Sequence, residues 1–546
     1  MTVYQMLREE GGQELRSLVV MSVVGACTNA VIIAQVNTAA SSAGPTEFRT
    51  LFMYVLLVAL FTLLTRRVNQ RFATLIEASL HRIKVRIGGK LVTAELEALE
   101  KVRAAEICDR ITENMTFVSE RSLTIASFLQ SILIVLCLCL YIAWLCMTAI
   151  SLVVLVIGVG LGLFMTMRRE FIIAIRQTSR LRVEFFERLS EMLEGFKQLQ
   201  FSRKASRELR ADIAATCGAL RVTGTKSSVL LADNVILSHG VVFGLLAGVV
   251  FALRGYVALD GPTFSALIVA AIFLRGPVFS VSTGLMPLIR SNFALAEIVA
   301  LEKKLEAASR QVMPKQDAED PWVQRPFERV AVDQLEYAYT SPDGASGFAI
   351  GPLDLGFDRG ELTFVVGGNG SGKSTLLKVI AGLYRPVDGR VTADGTNVDA
   401  ENLVEYRERI SAIFTDFHLF ERLYGVSEAD EDEVNALLAR VRLDEVTRYE
   451  DGAFTRLDLS TGQRKRLALV VAMLEDRPFY IFDEWAADQD PQFRRIFYDE
   501  LLPELRRAGK LVIAISHDDR YFDRADHLVT MDCGKVRSVS RKGAPA

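Results

Sequence analysis

Leu362-Thr363-Phe364-Val365-Val366-Gly367-Gly368-Asn369-Gly370-Ser371-Gly372-Lys373-Ser374 is the stretch that decides the fold of the C-terminal half. Its last eight residues fit G-x-x-x-x-G-K-[ST], the Walker A loop that wraps nucleotide phosphates. The apolar run before it reads as a buried strand, and Thr375 to Ile380 after it reads as a helix. That strand-loop-helix context is what the motif requires. Glycines let successive backbone N–H groups converge on phosphate, and the helix N-terminus adds positive potential. Lys373 is expected on the β- and γ-phosphates and Ser374 on Mg²⁺. Average residue usage makes a chance match roughly a one or two per cent event in a chain this long, so the phosphate-loop reading is preferred.

Working outward, three strings follow in order. Leu459-Ser460-Thr461-Gly462-Gln463 opens a helix over Arg464 to Met473, and such a turn presents Ser460 and backbone N–H groups at a helix N-terminus. An S-x-G turn before a helix is common, so alone this string carries little. Phe479-Tyr480-Ile481-Phe482-Asp483-Glu484 is an apolar strand ending in two carboxylates. Asp483 suits Mg²⁺ and Glu484 suits a general base for an attacking water. Leu511 to Ile515 is another apolar strand and ends in Ser516-His517, placing His517 within reach of a γ-phosphate and of Glu484. Upstream, Tyr339 has two readings: an aromatic stacked on adenine, or a strand-face tyrosine.

The first 290 residues differ in character. The chain has 546 residues, half of them hydrophobic, and a mean hydropathy of +0.24. That length exceeds one core and predicts at least two units. Apolar runs long enough to span a bilayer are expected at 18–36, 45–64, 125–147, 149–167, 235–253 and 262–285, the third and fourth joined by a tight turn near Thr148. Glu47 and Arg49 weaken the outer end of the second. The basic residues Arg66, Arg67, Arg71, Arg168, Arg169 and Arg290 follow spans two, four and six. The positive-inside rule therefore places both termini in the cytoplasm. Glu9, Glu10 and Glu14 precede the first run and no cleavage site follows, so no signal peptide is expected.

The polar segments 65–123 and 168–233 lack proline and carry helical periodicity, so they continue the spans as long helices. Short transverse helices near Glu95 to Ala105 and Phe201 to Arg207 are placed to pass force between the halves. Inside the spans, ionisable residues are costly and are candidates for the substrate path. These are Arg275, His239 and Asp233. Arg275 either contacts an anionic substrate, pairs with Asp233, or snorkels, and Gly276-Pro277 beside it should kink the helix. The net charge of -3 and pI near 6.1 argue against a nucleic-acid partner. Seven cysteines show no metal spacing and read as small core residues.

Together these motifs make the chain resemble an ATP-binding cassette half-transporter of the exporter type. The resemblance implies a transmembrane domain at 1–305, a linker at 306–328 and an α/β P-loop domain at 329–546. Gly367, Asn369, Gly370, Ser371, Gly372, Lys373, Ser374 and Thr375 would bind ATP phosphates. Asp483 and Glu484 would be the Walker B acid and catalytic base, His517 the switch histidine, Asp490 the D-loop aspartate. Ser460, Gly462 and Gln463 would cap the ATP held by the opposite subunit, so a homodimer in a lipid bilayer is implied. Thr415 stands where the family usually carries a metal-sensing glutamine, and Asp416 follows it. The strings Phe414 to Phe420 and Asp483 to Pro491 are similar to the cyclic-peptide exporter branch, whose members export siderophore precursors, lipopeptides and a lasso peptide. That implies a modified peptide as cargo. The same architecture also serves lipid or drug export and siderophore import. A peptide-processing exporter would need a cysteine peptidase domain before span one, and about seventeen residues without cysteine stand there.

Overall fold

The computed structural model describes residues 2–10, 12–41, 48–100, 104–253, 255, 257, 259–308, 327–340 and 346–542. The proposed start of span two at Pro45, the outer Glu47 and most of the linker at 306–328 lie outside the described residues. The chain divides into two compact units, 1–92 with 101–307 and 93–100 with 308–546.

The first unit is helical. Among the described residues, six helices are long and apolar enough to cross a membrane: Gly12–Ala39, Phe48–Val92, Ser122–Leu145, Met147–Glu194, Arg203–Leu253 and Gly261–Glu306. The chain is therefore a multi-pass membrane protein. Several helices run far beyond their apolar stretch. Phe48–Val92 has 45 residues, about 68 Å at 1.5 Å per residue, against a hydrocarbon core of about 30 Å. No proline interrupts it, and its polar half buries Val68, Phe72, Leu75, Ile76, Leu80, Ile83 and Ile87 at helical spacing. Its apolar half exposes Leu51, Phe52, Val55 and Leu56, as expected of a surface that meets lipid.

The tight turn expected near Thr148 falls at Cys146, whose extended backbone (φ -155°, ψ 110°) separates Ser122–Leu145 from Met147–Glu194. In the last span the kink lies at Leu274, between Gly261–Phe273 and Arg275–Ala308. That is one turn ahead of the Gly276-Pro277 pair. Pro277 has no N–H to give to the carbonyl four residues earlier, so the ladder fails at that point.

The second unit is α/β. Its strands are β1 Arg329–Thr340, β2 Ser346–Asp358, β3 Leu362–Gly367, β4 Asp388–Ala393, β5 Thr396–Asn397, β6 Ile410–Ile413, β7 Tyr449–Glu450, β8 Ala453–Phe454, β9 Phe479–Phe482, β10 Leu511–Ile515, β11 His527–Asp532 and β12 Lys535–Arg541. One sheet runs β12-β11-β3-β10-β9-β6, a second β2-β1-β4-β5, and β7 pairs with β8. The strands β11, β3, β10, β9 and β6 pair in parallel. β9 and β10 are buried along their whole length, the continuous apolar pattern of a parallel sheet covered on both faces. Parallel register brings the C-terminal ends of β3, β9 and β10 to one edge, where loops carry function in open α/β sheets.

A short helix, Leu96–Glu100, belongs to this unit although the chain on either side of 93–100 belongs to the first. Leu96 packs against the core around β1 and β3. Glu95 pairs with Arg385 at 3.0 Å. The Glu100 carboxylate accepts from the Tyr384 hydroxyl at 3.0 Å and lies 3.7 Å from Lys378 Nζ. The helix occupies part of the transverse segment read at Glu95 to Ala105, of which 101–103 lie outside the described residues. The other such segment, Phe201 to Arg207, is a break at Ser202 between the helices Phe196–Phe201 and Arg203–Ala247. Ser202 Oγ caps the second by accepting from the Ala205 N–H.

Candidate functional site

The phosphate loop joins β3 to the helix Lys373–Ile380. Gly370 and Gly372 hold φ of +76° and +98°, left-handed values that cost other residues strain. A Cβ on Gly372 would come within 2.6 Å of Ile350 Cγ2, so the position is also closed sterically. Lys373 is buried and its Nζ donates to the Gly367 and Gly368 carbonyls, each at 3.0 Å. Burial pushes its pKa down, against the pull of Glu484 and Asp483. The cation that would meet a phosphate is thus already withdrawn from water, where its field is least screened. Ser371 Oγ is buried beside it without a hydrogen-bond partner.

β9 delivers the carboxylates. Ser374 Oγ donates to Asp483 Oδ1 at 3.0 Å. Asp483 Oδ2 is buried with no hydrogen-bond partner, and burial pushes this carboxyl's pKa up. A hydroxyl and an orphaned buried carboxylate oxygen side by side are a hard-oxygen donor pair, the set that Mg²⁺ takes when it keeps most ligands as phosphate and water. The residues present fit that ion.

Glu484 follows in a left-handed conformation, φ 49°. That is uncommon and costly for a glutamate, and it turns the chain sharply at the strand end. The surroundings hold it there. Its carbonyl accepts from Lys465 Nζ at 2.8 Å, and Lys465 also pairs with Asp488 at 2.7 Å. The next residue, Trp485, is buried, donates Nε1–H to the Lys465 carbonyl at 2.8 Å and stacks on Phe497 with centroids 4.3 Å apart. Beyond the turn, Glu484 Oε1 lies 2.9 Å from His517 Nε2, which comes from the loop after β10. Both line a cavity of about 290 Å³ with Tyr498, Ser516 and Arg520. Loop, metal donors and base–histidine pair are therefore held by adjacent parallel strands. Such a set can bind a nucleoside triphosphate and activate a water against it.

Residues 350–487 match the family model described as ABC transporter. The chain carries an ABC transporter domain. The whole chain also overlays a solved structure of a bacterial Atm1-family ABC exporter with ATP bound. The TM-score is 0.78, 97% of this chain and 95% of that one are covered, and sequence identity is 17%. The fold is that of an ABC exporter half-transporter. Over 354 residues, 63% of this chain and 61% of the relative, it is 37% identical to the ATP-binding protein SyrD of Pseudomonas syringae pv. syringae. It is 33% identical to the mycobactin import ATP-binding/permease protein IrtB of Mycolicibacterium smegmatis over 193 residues, 33% of each chain. It is 31% identical to an ATP-dependent lipid A-core flippase of Chromohalobacter salexigens over 196 residues, 34% of each. These alignments span less than two thirds of the relatives' length.

Ser460 caps the helix Thr461–Glu475 in a capping box with Gln463. Gly462 is required for packing, since a Cβ there would sit 2.7 Å from the Asp488 carbonyl oxygen. None of the three hydrogen-bonds the phosphate loop among the described residues. Asp490 caps the helix Pro491–Ile496 by accepting from the Gln492 and Phe493 N–H groups and pairs with Arg466. The Phe493 N–H and the Arg466 guanidinium hold its carboxyl below the usual range. Tyr339 OH lies 3.2 Å from Thr375 Oγ1 and its ring packs edge-on against Tyr337 and Tyr384. Asn369 and Thr415 are exposed. Asp416 is 3.9 Å from Lys378 Nζ, and its charge raises the Asp483 pKa.

Phe348 was not legible as a site residue. It is exposed, and its ring would lie 3.3 Å from a Cβ at Gly372. A second aromatic therefore flanks the loop, and nothing local in Ser346-Gly347-Phe348 marks it.

In the span unit, Asp233 and Arg275 are exposed and make no ion pair with each other. His239 stacks on Phe279 with centroids 5.7 Å apart. The neighbours of Asp233 and His239, Asn234 and Ser238, line an apolar cavity of about 210 Å³ instead. Asn234 Nδ2 donates to the Ser282 carbonyl at 2.8 Å, and Ser282 Oγ donates to the Asn234 carbonyl at 3.0 Å.

Proposed function

We propose that two copies of this chain form an ATP-driven exporter of a cyclic or otherwise modified peptide across a bacterial inner membrane, with both termini cytoplasmic. The observation that carries the chemistry is the Glu484–His517 pair at 2.9 Å, one residue beyond the Ser374–Asp483 contact. Glu484 takes the proton of the attacking water. His517 holds Oε1 of that carboxylate and orients it toward the γ-phosphate. Lys373 leaves its two loop carbonyls for the phosphates, and N–H groups of Gly370 to Thr375 complete the cradle. Ser374 and Asp483 would hold Mg²⁺, which would supply positive charge beside the phosphates. Ser460, Gly462 and Gln463 close on the nucleotide of the other copy, a reading supported by the lack of any hydrogen bond from them to the loop of their own chain among the described residues.

Closure of two ABC domains on ATP and their parting after hydrolysis would shift the span bundle between inward- and outward-facing populations. Lys378 ties this to the transverse helix. It lies on the helix that starts at the phosphate loop, 3.9 Å from Asp416 and 3.7 Å from Glu100. Asp416 here takes the place next to the missing glutamine.

The SyrD similarity and the strings around Phe414 to Phe420 and Asp483 to Pro491 support peptide as cargo. The likeness to a lipid A-core flippase keeps lipid as the second reading, and the apolar cavity of about 210 Å³ would suit an acyl chain in either case. Purified full-length protein in nanodiscs separates them. A cyclic lipopeptide should raise ATP hydrolysis and lipid A should not. Inside-out vesicles should accumulate the peptide only with ATP. Stimulation by lipid A alone, or uptake in the opposite orientation, would overturn peptide export.

A further inference from the structure

A second cavity in the span unit, about 400 Å³, differs in kind from the apolar one. It opens where the spans give way to their polar extensions. Arg121, Arg182 and Arg290 line it from three separate helical segments, and no acid lines it among the described residues. One carboxylate stands behind the arginines. Glu113 pairs with Arg182 and lies 3.8 Å from Arg290 Nη2. Arg290 sits over the Phe117 ring, 4.0 Å to the centroid, which fixes the guanidinium plane. Arg121 is exposed and ion-pairs with no described residue. Three guanidiniums against one carboxylate leave an excess of positive charge focused in a concave, partly apolar wall, the arrangement that raises the local concentration of anions.

A second observation points the same way. Ser227 Oγ, also in the lining, is buried with no hydrogen-bond partner. Buried hydroxyls are normally satisfied. Ser227 itself lines the hollow, so a rotation about its Cα–Cβ bond would offer this hydroxyl to a ligand there. Phe171, Ile175 and Met286 complete the wall with apolar surface. A planar carboxylate matches paired guanidinium N–H groups bidentately, and the apolar surface suits the rest of an amphipathic ligand. None of the spans' own ionisable candidates is involved: Arg275, His239 and Asp233 lie outside this lining.

We propose that this cavity is the reception site for a carboxylate on the transported molecule, so that the cargo is an acidic peptide. The proposal rests on the export reading above and names its substrate class. Arg121 and Arg290 grip the carboxylate, Ser227 donates to it, and Glu113 keeps Arg182 from closing over the hollow.

The test uses the full chain in phosphatidylcholine nanodiscs and two fluorescent cyclic peptides of one ring size, one with two aspartates and one with asparagines in their place. Anisotropy should show the acidic ring bound at least tenfold tighter, a preference that shrinks in high salt. In R121Q/R290Q the preference should fall to within twofold. In R290K, which keeps the charge but loses the planar fork, the preference should fall between these two values. Melting temperatures of all variants report folding, and exposed R121Q alone provides a mild variant should the double one unfold. Equal binding of both rings to the unaltered protein, or an undiminished preference in R121Q and R121Q/R290Q, overturns the site. A preference that vanishes in phosphatidylglycerol nanodiscs overturns it as well and assigns the arginines to lipid phosphate. ATP-driven uptake of both rings at equal rates into inside-out vesicles sinks the site and leaves export standing. A clear binding preference without ATP-driven uptake does the reverse.

Discussion

The ABC domain and the span unit treat charge in opposite ways. In the ABC domain, charged groups go inside and are locked. Lys373, Lys465 and Asp483 are all nearly fully buried, and each has a named partner. In the span unit, most charge sits beyond the apolar stretches, with Arg275 inside the sixth as an exception. The arginines of the larger cavity lie where the apolar helices stop, and Arg275 and Asp233 are left on the surface. The difference follows from the solvent. Water around an α/β domain lets the sheet edge concentrate a few expensive groups, whereas hydrocarbon penalises each charge separately. One unit is therefore built for fixed geometry and the other for an adaptable hollow. Single substitutions should cost function in the first and modest stability or selectivity in the second.

The largest test of this contrast is Glu484→Gln. Loss of a general base costs typically about 10²- to 10⁴-fold in rate, so phosphate release should nearly stop while ATP still binds. Near-normal hydrolysis would remove Glu484 from that role and with it the idea of a locked catalytic frame.

Next in size is a pH effect at Asp483. Burial raises its pKa, so protons compete with Mg²⁺ for this carboxylate up to a higher pH than at an ordinary one. Mg²⁺-dependent ATP binding should weaken as pH falls, starting at a higher pH than for an ordinary carboxylate, and Asp483→Asn should remove that limb. The linked stability has the matching sign. An ionised Asp483, buried with one oxygen unpartnered, costs stability once pH rises past its unfolded value. Added Mg²⁺ should therefore raise the melting temperature more at neutral than at acid pH. Calorimetry across pH with and without Mg²⁺ decides it, and a flat response would place the metal elsewhere.

In the span unit the comparable contact is Asn234 with Ser282. Asn234→Ala should cost about 1 kcal/mol, the range of interhelical hydrogen bonds in membranes, read as a small drop in melting temperature with ATP hydrolysis retained. A collapse of the protein would mean that this unit too depends on locked polar groups. Smallest is Glu100→Gln, which removes one half-exposed charge from Lys378 and should change stability by less than about 1 kcal/mol. Its effect should appear as weaker stimulation of hydrolysis by peptide. Unchanged stimulation would exclude the Lys378 connection as a route between nucleotide and transverse helix.

The two units were also unequally legible in sequence. In the ABC domain, function rides on contiguous strings that themselves dictate strand, turn and helix. Gly367 to Ser374, Asp483-Glu484 and Ser516-His517 were all placed by reading along the chain, and the parallel sheet then gathers them at one edge. What could not be read there was tertiary: the capping duty of Asp490, the Lys465 bond that holds Glu484, and Phe348 beside the loop. In the span unit, the apolar runs each fell on one of the six long helices among the described residues, since bilayer thickness sets the length of the apolar stretch though not of the helix. The polar sites did not follow from the same logic. Asp233 and His239 stood out because they ionise, but helix rotation turns Asn234 and Ser238 to the apolar cavity. Arg290 read as a charge flanking span six, and Arg121 and Arg182 passed unmarked in the polar segments, because their convergence comes from three distant segments. A linear scan for rare residues inside spans passes over a site that lies at the ends of spans.

The placement of residues 93–100 has a practical consequence. The backbone passes between the two units at 92/93, 100/101 and 307/308, so they are stitched together three times rather than hung on one tether. A fragment beginning at residue 329 would lack Leu96 and the acids Glu95 and Glu100, and would leave a hole, Arg385 without Glu95, and Lys378 with Asp416 but without Glu100. Anyone dissecting this protein should expect such a fragment to be soft, and to stiffen when an octapeptide of sequence 93–100 is added back.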